Sequence, residues 1–246
     1  LSDPVQKWGQ PEREDFRLLA NGDTATAFGE MYGLASLSWG QGVSDFNWRS
    51  PEAQSAYAES DAFEGWTLRD VYPHGFKPQF GQEERDSAAT LGLKGKSEAG
   101  LHYEVSAGFG ENQIDYFLYS TINASMGPAS PFEFDAGGLR QREYNLNADF
   151  QTEWSVPGIA EGPVELAFGL ERRVEQYTTL AGDLASYEIG PGAADGLTSG
   201  SNGFPGYTPL QAKTHDQTNW AAYIDATAPL TASTRAGLAV RFEDFD

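Results

Sequence analysis

Three histidines, His74, His102 and His215, are the chain's whole stock of imidazole, and none stands in an HExxH or similar metal-ligating spacing. Cysteine is absent, which excludes thiolate catalysis, disulfides and cysteine-held zinc or iron–sulfur centres. Carboxylates are plentiful, and Glu143, Asp149 and Glu153 have the residue types of a glycosidase acid pair. They fall, however, on one face of a run in which every second residue is polar, so hydration accounts for them without catalysis. There is no GxSxG elbow and no Ser/His/Asp order. Gly108-Phe109-Gly110 lacks the further glycine and the helix of a phosphate loop. The Asp- and Gly-rich stretch 182–206 lacks EF-hand spacing and reads as a mobile loop. The expectation is a protein that is not an enzyme, with no catalytic, metal or cofactor site.

What remains is the chemistry of recognition. Trp48, Trp66, Tyr72, Phe76, Phe80, Tyr187, Phe204 and Tyr207 fall in or beside segments rich in Gly, Pro and Asp. Aromatic rings there stack on sugars or aromatic chelators at small entropic cost, or else pack the segments on one another. Tyr72, His74, Phe76, Phe204 and Tyr207 are the candidate ligand contacts. His102 reads as a hydrated strand residue and His215 as structural. Arg140, Arg142, Arg172 and Arg173 suit an anionic ligand or lipid phosphates, but neighbouring glutamates are the expected partners.

The surplus of 36 acidic over 16 basic side chains gives a formal net charge of −20, which argues against nucleic acid as a partner. Mean hydropathy is −0.48, and no run approaches the ~18–20 apolar residues of a spanning helix. A spanning β-strand escapes this test, because its lipid-facing apolar residues alternate with polar ones.

Such alternation dominates the chain. Tyr144, Leu146, Ala148, Phe150, Thr152 and Trp154 fall on one face, and Glu143, Asn145, Asn147, Asp149, Gln151 and Glu153 on the other. Similar runs recur around 89–93, 101–109, 164–170, 219–226 and 236–242. The apolar register shifts from Phe109 to Ile114, Tyr116 and Leu118, which predicts a bulge or an exit from the apolar band. Tyr116, Tyr144, Trp154 and Trp220 lie near strand ends, as an interfacial aromatic girdle would. Eight strands are expected, at about 12–20, 24–48, 86–96, 101–122, 139–155, 163–177, 216–228 and 235–246. Short links at 21–23, 97–100, 156–163 and 229–234 alternate with long ones at 50–85, 123–138 and 178–214. Short turns at one end and long loops at the other are the asymmetry of an outer-membrane barrel, with the short turns periplasmic. The fold class expected is therefore all-β, an antiparallel up-and-down transmembrane β-barrel segment, as a single domain over 1–246.

Several stretches together resemble one family. They are 106–112 (SAGFGEN), 123–128 (NASMGP), 134–149 (FDAGGLRQREYNLNAD), 167–175 (AFGLERRVE), 186–190 (SYEIG), 200–206 (GSNGFPG) and 240–245 (VRFEDF). As a set they are similar to strands and loops of the TonB-dependent outer-membrane receptors, most from about Thr90 onward. The resemblance implies an importer of a siderophore, oligosaccharide or other scarce nutrient in the outer membrane of a Gram-negative bacterium. It further implies a plug domain inside a barrel of about 22 strands, with energy supplied through TonB. No plug, TonB-contacting segment or closing aromatic strand is recognisable, so the chain reads as about a third of the barrel wall, cut from a longer protein. Its expected partners are outer-membrane lipid, the plug and remaining strands, the TonB system and a small nutrient ligand. Two alternatives stand beside this reading: a self-contained eight-stranded outer-membrane barrel, possibly an enzyme, and a soluble carbohydrate-binding β-sandwich.

Overall fold

The computed structural model describes residues 7, 9, 11–52, 54–156, 158 and 160–246. Leu1–Pro4, and Pro157 and Ile159 of the short link at 156–163, lie outside the described residues. Eight strands form: β1 (Glu12–Thr26), β2 (Gly29–Asp45), β3 (Gln79–Lys96), β4 (His102–Tyr119), β5 (Phe134–Trp154), β6 (Val164–Leu180), β7 (Lys213–Thr231) and β8 (Thr234–Phe245). Each pairs antiparallel with the next in one sheet of order β1 through β8, the expected up-and-down architecture. The sheet is open. Its order pairs β1 only with β2 and β8 only with β7, so the ladder that would close an eight-stranded barrel is not formed among the described residues. Nor does a second sheet pack on the first, as a sandwich requires.

Register explains the alternation. Met31, Leu93, Val105, Ala148, Leu170, Ala222 and Phe242 are successive cross-strand partners over seven strands, and every one is apolar. One residue along, Tyr32, Gly92, Ser106, Asn147, Glu171, Ala221 and Glu243 form the parallel row on the opposite face. A one-residue slip anywhere would exchange the two rows, so the sequence fixes the pairing strongly. Among the described residues the apolar face is left largely open: Leu91 is 58% exposed, Leu170 59% and Leu238 71%.

The strands outrun their expected limits where alternation fails. β1 continues through Asn21-Gly22-Asp23 to Thr26, and the hairpin turns at Ala27-Phe28 instead. β3 begins at Gln79, well before 86, because Gln82 and Glu84 on one face and Glu83 and Arg85 on the other leave nothing apolar to reveal it. Of the two expectations for the shift after Phe109 the bulge is absent, since β3 and β4 stay in unbroken register from Lys96↔His102 to Gln79↔Tyr119, and the apolar run on that face simply ends, with Glu111, Gln113 and Asp115 following. A bulge does occur, but further up, between Tyr116 and Phe117 against β5.

The larger buried apolar cluster lies with the long loops, and a smaller one, Leu118, Phe134 and Ala136, sits at the strand ends beneath them. Ala56, Tyr57, Leu68, Phe76, Ile122, Ala124 and Leu197 pack together from loops 46–78, 120–133 and 181–212. Hydrogen bonds tie the three loops into one cap: Arg49 Nε donates to Asn202 Oδ1 (2.9 Å), Thr121 Oγ1 to the Asn202 carbonyl (2.6 Å) and Ser60 Oγ to Asp195 Oδ2 (2.6 Å). Buried Asn123 donates to the carbonyls of Ala185 and Glu188, each at 2.9 Å. The stretch 182–206 is therefore not the free loop expected from its composition. Its buried Ser186, Leu197 and Ser201 hold it in the cap.

Candidate functional site

Cap and sheet meet at an aromatic wall. Phe204 of the third loop lies 5.2 Å from Phe80 and 5.6 Å from Tyr116, measured between ring centroids. Tyr207 lies 5.9 Å from Phe204 and 6.4 Å from Tyr116. Phe80 and Tyr116 project from the polar face, at register positions Phe80↔Leu118 and Gln82↔Tyr116, so the cap leans over that face. Tyr116 thus does not belong to the girdle expected of it. Tyr144, Trp154 and Trp220 do lie exposed on the apolar face.

A bulge in β5 positions the wall. Tyr116 pairs with Gly137 and Phe117 with Asp135, leaving Ala136 as the extra residue. Its freed carbonyl accepts from the Tyr207 N–H (3.0 Å), while the Tyr207 carbonyl accepts from the Gly182 N–H (2.9 Å). Gly137 makes this possible. Its φ of +84° is a conformation L side chains rarely adopt, and an added Cβ would meet the Leu180 carbonyl and Gly182 N. Phe204 is held similarly, its carbonyl accepting from Ser201 Oγ at 2.8 Å.

Tyr177 on β6 completes the wall. It interacts electrostatically with both Tyr116 and Tyr207, so three phenol hydroxyls gather at the underside of the cap. Burial, with Tyr177 nearby, raises the Tyr207 hydroxyl above the ordinary tyrosine range. Across the ladder from Tyr177 stand Gln141 and His215, both exposed. His215, expected to be structural, therefore borders this wall.

The five candidate contacts part company. Phe204 and Tyr207 are brought together here. Tyr72 and Phe76 belong instead to the cap core, stacked at 5.0 Å with a 22° interplanar angle, and Phe76 is buried. Burial raises the Tyr72 hydroxyl and pushes that of Tyr57, beside Phe76, up to about 12. His74 is exposed on the outer surface of the first loop. Tyr116 and Tyr177 were missed as contacts because the alternation places them on a strand face without showing that a loop folds over it, and Phe80 was named only within the wider aromatic group. Phe80 also lay within a stretch read as loop.

Most of the other groups singled out by the sequence have partners. Asp149 accepts from Tyr223 Oη at 2.7 Å and Glu143 from Asn145 Nδ2 at 2.5 Å. Arg142 pairs with Glu111, Arg173 Nε lies 3.9 Å from Glu175, and Arg172 lies over the Trp220 ring at 5.5 Å. The buried Nε atoms of Arg140 and Arg173 have no hydrogen-bond partner among the described residues. His102 lines an open recess of about 590 Å³ at the short-turn end, with Lys94, Glu104, Asp149 and Tyr223. No group of three or more His, Asp or Glu side chains is gathered closely enough to hold a metal ion among the described residues. No family model, curated protein or solved structure matches the chain.

Proposed function

We propose that the chain forms part of the wall and the extracellular loops of a transmembrane β-barrel in a Gram-negative outer membrane. The observation that carries this reading is the pair of adjacent register rows, one wholly apolar with no residue buried, the other free of large aliphatic side chains. Soluble monomers seldom expose a contiguous apolar patch beyond about 300–600 Å², whereas this one runs across seven strands. From Tyr144 to Trp154 it is ten residue steps tall, about 25 Å at a tilt of about 40°, which suits an outer-membrane hydrocarbon layer. Tyr144 and Trp220 border one edge of the band and Trp154 the other, where interfacial aromatics sit. Beyond the upper edge the same face turns charged, with Glu83, Arg85, Glu111 and Arg142, while Arg172 stands level with Trp220 at the edge itself.

In hydrocarbon every backbone N–H and C=O needs a partner, so the free edges of β1 and β8 call for further strands. Together with the resemblance of stretches 106–149 and 167–206, this supports a TonB-dependent receptor as the assembly: an importer of a siderophore, oligosaccharide or other scarce nutrient, whose plug couples to TonB. The role of this part would be passive, lining the water path and capping its outer mouth. Cell fractionation tests the reading. The protein should stay in the outer-membrane pellet after a carbonate wash and leave it only with detergent. Recovery in the soluble fraction would reject it.

A further inference from the structure

We propose that the wall formed by Phe204, Tyr207, Tyr116 and Tyr177 binds a neutral carbohydrate. The proposal rests on the reading of the polar face as the water side of a membrane wall, and it names the ligand class that face admits. Three observations narrow the choice.

The first is the surface itself. Tyr116, Phe204 and Tyr207 are half-buried and Tyr177 is 45% exposed, so ring faces remain open while the backbone beneath Tyr207 is pinned at both N–H and C=O. Rigid rings tipped with hydroxyls match a pyranose, which offers an apolar C–H face and a rim of hydroxyls.

The second is charge. The three loops hold nine acidic side chains (five, one and three in chain order) against three basic ones, all in the first loop. Each of the three is engaged: Arg49 with Asn202, Arg69 with the Pro51 carbonyl and the Tyr57 ring, Lys77 with Asp45 at 2.6 Å. An anionic chelate would meet a net negative cap whose own cations are engaged, with Lys213, exposed at the head of β7 on the same face, as a cation just outside it.

The third is spacing and neighbours. The rings of Phe80, Tyr116, Phe204 and Tyr207 pack on one another, with neighbouring centroids 5.2–6.4 Å apart, too close for a cation to enter between them as in an aromatic cage. Of the nearby acids, Glu175 lies 3.9 Å from Arg173, and two more are hydrogen-bonded. Glu84 is held by Arg13 at 3.0 Å, and Asp86 by Ser38 at 2.9 Å and Asn112 at 2.6 Å. The free groups beside Tyr177 are the side chains of Gln141 and His215, which suit hydroxyls.

Calorimetry on the intact detergent-solubilised protein tests this with maltohexaose, cellohexaose and xylohexaose as neutral probes, an anionic ferric tris-catecholate, and tetramethylammonium. At least one hexasaccharide should bind, and the two charged probes should not. Tyr177→Phe, which removes one hydroxyl from an exposed ring, should weaken that sugar about five- to tenfold without moving the thermal unfolding midpoint. Phe204→Ala should weaken it further. Silence from all three sugars overturns the proposal. So does binding of either charged probe that a sugar cannot displace, or a sugar affinity that Tyr177→Phe leaves unchanged. Because binding is read apart from membrane location, a protein that binds sugar yet fractionates as soluble would reject the barrel and keep the site.

Discussion

Tyr223 on β7 and Asp149 on β5 are hydrogen-bonded at 2.7 Å across the strand that separates them, with Gly169 of β6 directly between. The device recurs on the polar face. Tyr32 of β2 reaches Glu104 of β4 over Gly92, Arg13 of β1 reaches Glu84 of β3 over Gly40, and Arg241 of β8 reaches Glu171 of β6 over Ala221. Long polar side chains thus tie second-neighbour strands, and a small residue lets each one lie flat against the sheet.

The first prediction follows from that clearance. A Cβ at Gly169 would fall 2.5 Å from Tyr223 Cε1 and 2.7 Å from Asp149 Oδ1. Gly169→Val should therefore destabilise the sheet by about 1–3 kcal/mol in urea unfolding. Gly110→Val, at a site with nothing within 4 Å, should stay within about 0.5 kcal/mol of the parent. Equal effects at the two sites would mean that the bridge is immaterial.

The two faces should answer a charge differently. Ala148 pairs with Val105 and Leu170 in the apolar row, whereas Asn147 pairs with Ser106 and Glu171 in the polar row. Ala148→Arg should cost about 2–4 kcal/mol of folded stability in bilayers and Asn147→Arg less than about 1 kcal/mol. Denaturant titration in lipid vesicles measures both.

Asn123 is the fully buried link between the second and third loops. Asn123→Ala strands the carbonyls of Ala185 and Glu188 and should loosen the cap by about 2–4 kcal/mol. Amide exchange should accelerate across 183–201 and stay unchanged in β3 and β4. Uniform acceleration would show that cap and sheet unfold as one unit.

The cap should have an acid and an alkaline limit. Ser60 Oγ, followed by the Ala62 N–H, holds Asp195 below the ordinary carboxylate range. Its contribution is complete above the unfolded-state value of about 4 and is lost as pH falls through the lower folded value. Tyr57 runs the other way. Burial raises it to about 12, so its contribution is complete below pH 10 and is lost as pH climbs from 10 to 12. Trp66, packed against the same core, offers a fluorescence readout. Asp195→Asn should flatten the acid limb and Tyr57→Phe the alkaline one.

The sheet was largely legible in the sequence because its determinant is local. From Glu143 to Trp154 each residue declares its side of the strand, and the observed register keeps every one there. Legibility ended where the chain leaves the apolar band: Gln79–Arg85 is wet on both faces, so a strand looks like a loop. The Asn21-Gly22-Asp23 signal misled because its turn propensity is outweighed by an unbroken ladder to Thr26. The cap was illegible for another reason. Arg49 and Asn202 are 153 residues apart, and no local pattern records that they meet. Tyr116 shows both effects, since period two assigned its face correctly but not what covers that face.

The account turns on which solvent each face meets, and thiol scanning along β5 reads this directly. The chain has no cysteine, so single replacements from Glu143 to Glu153 each place one unique thiol for a fluorophore. In native outer membranes, probes at 144, 146, 148 and 150 should be quenched by a lipid-soluble nitroxide. Those at 143, 145, 147 and 149 should be quenched only by aqueous iodide. Iodide quenching at all eight positions, or shielding of the even ones from both quenchers, would contradict a membrane wall.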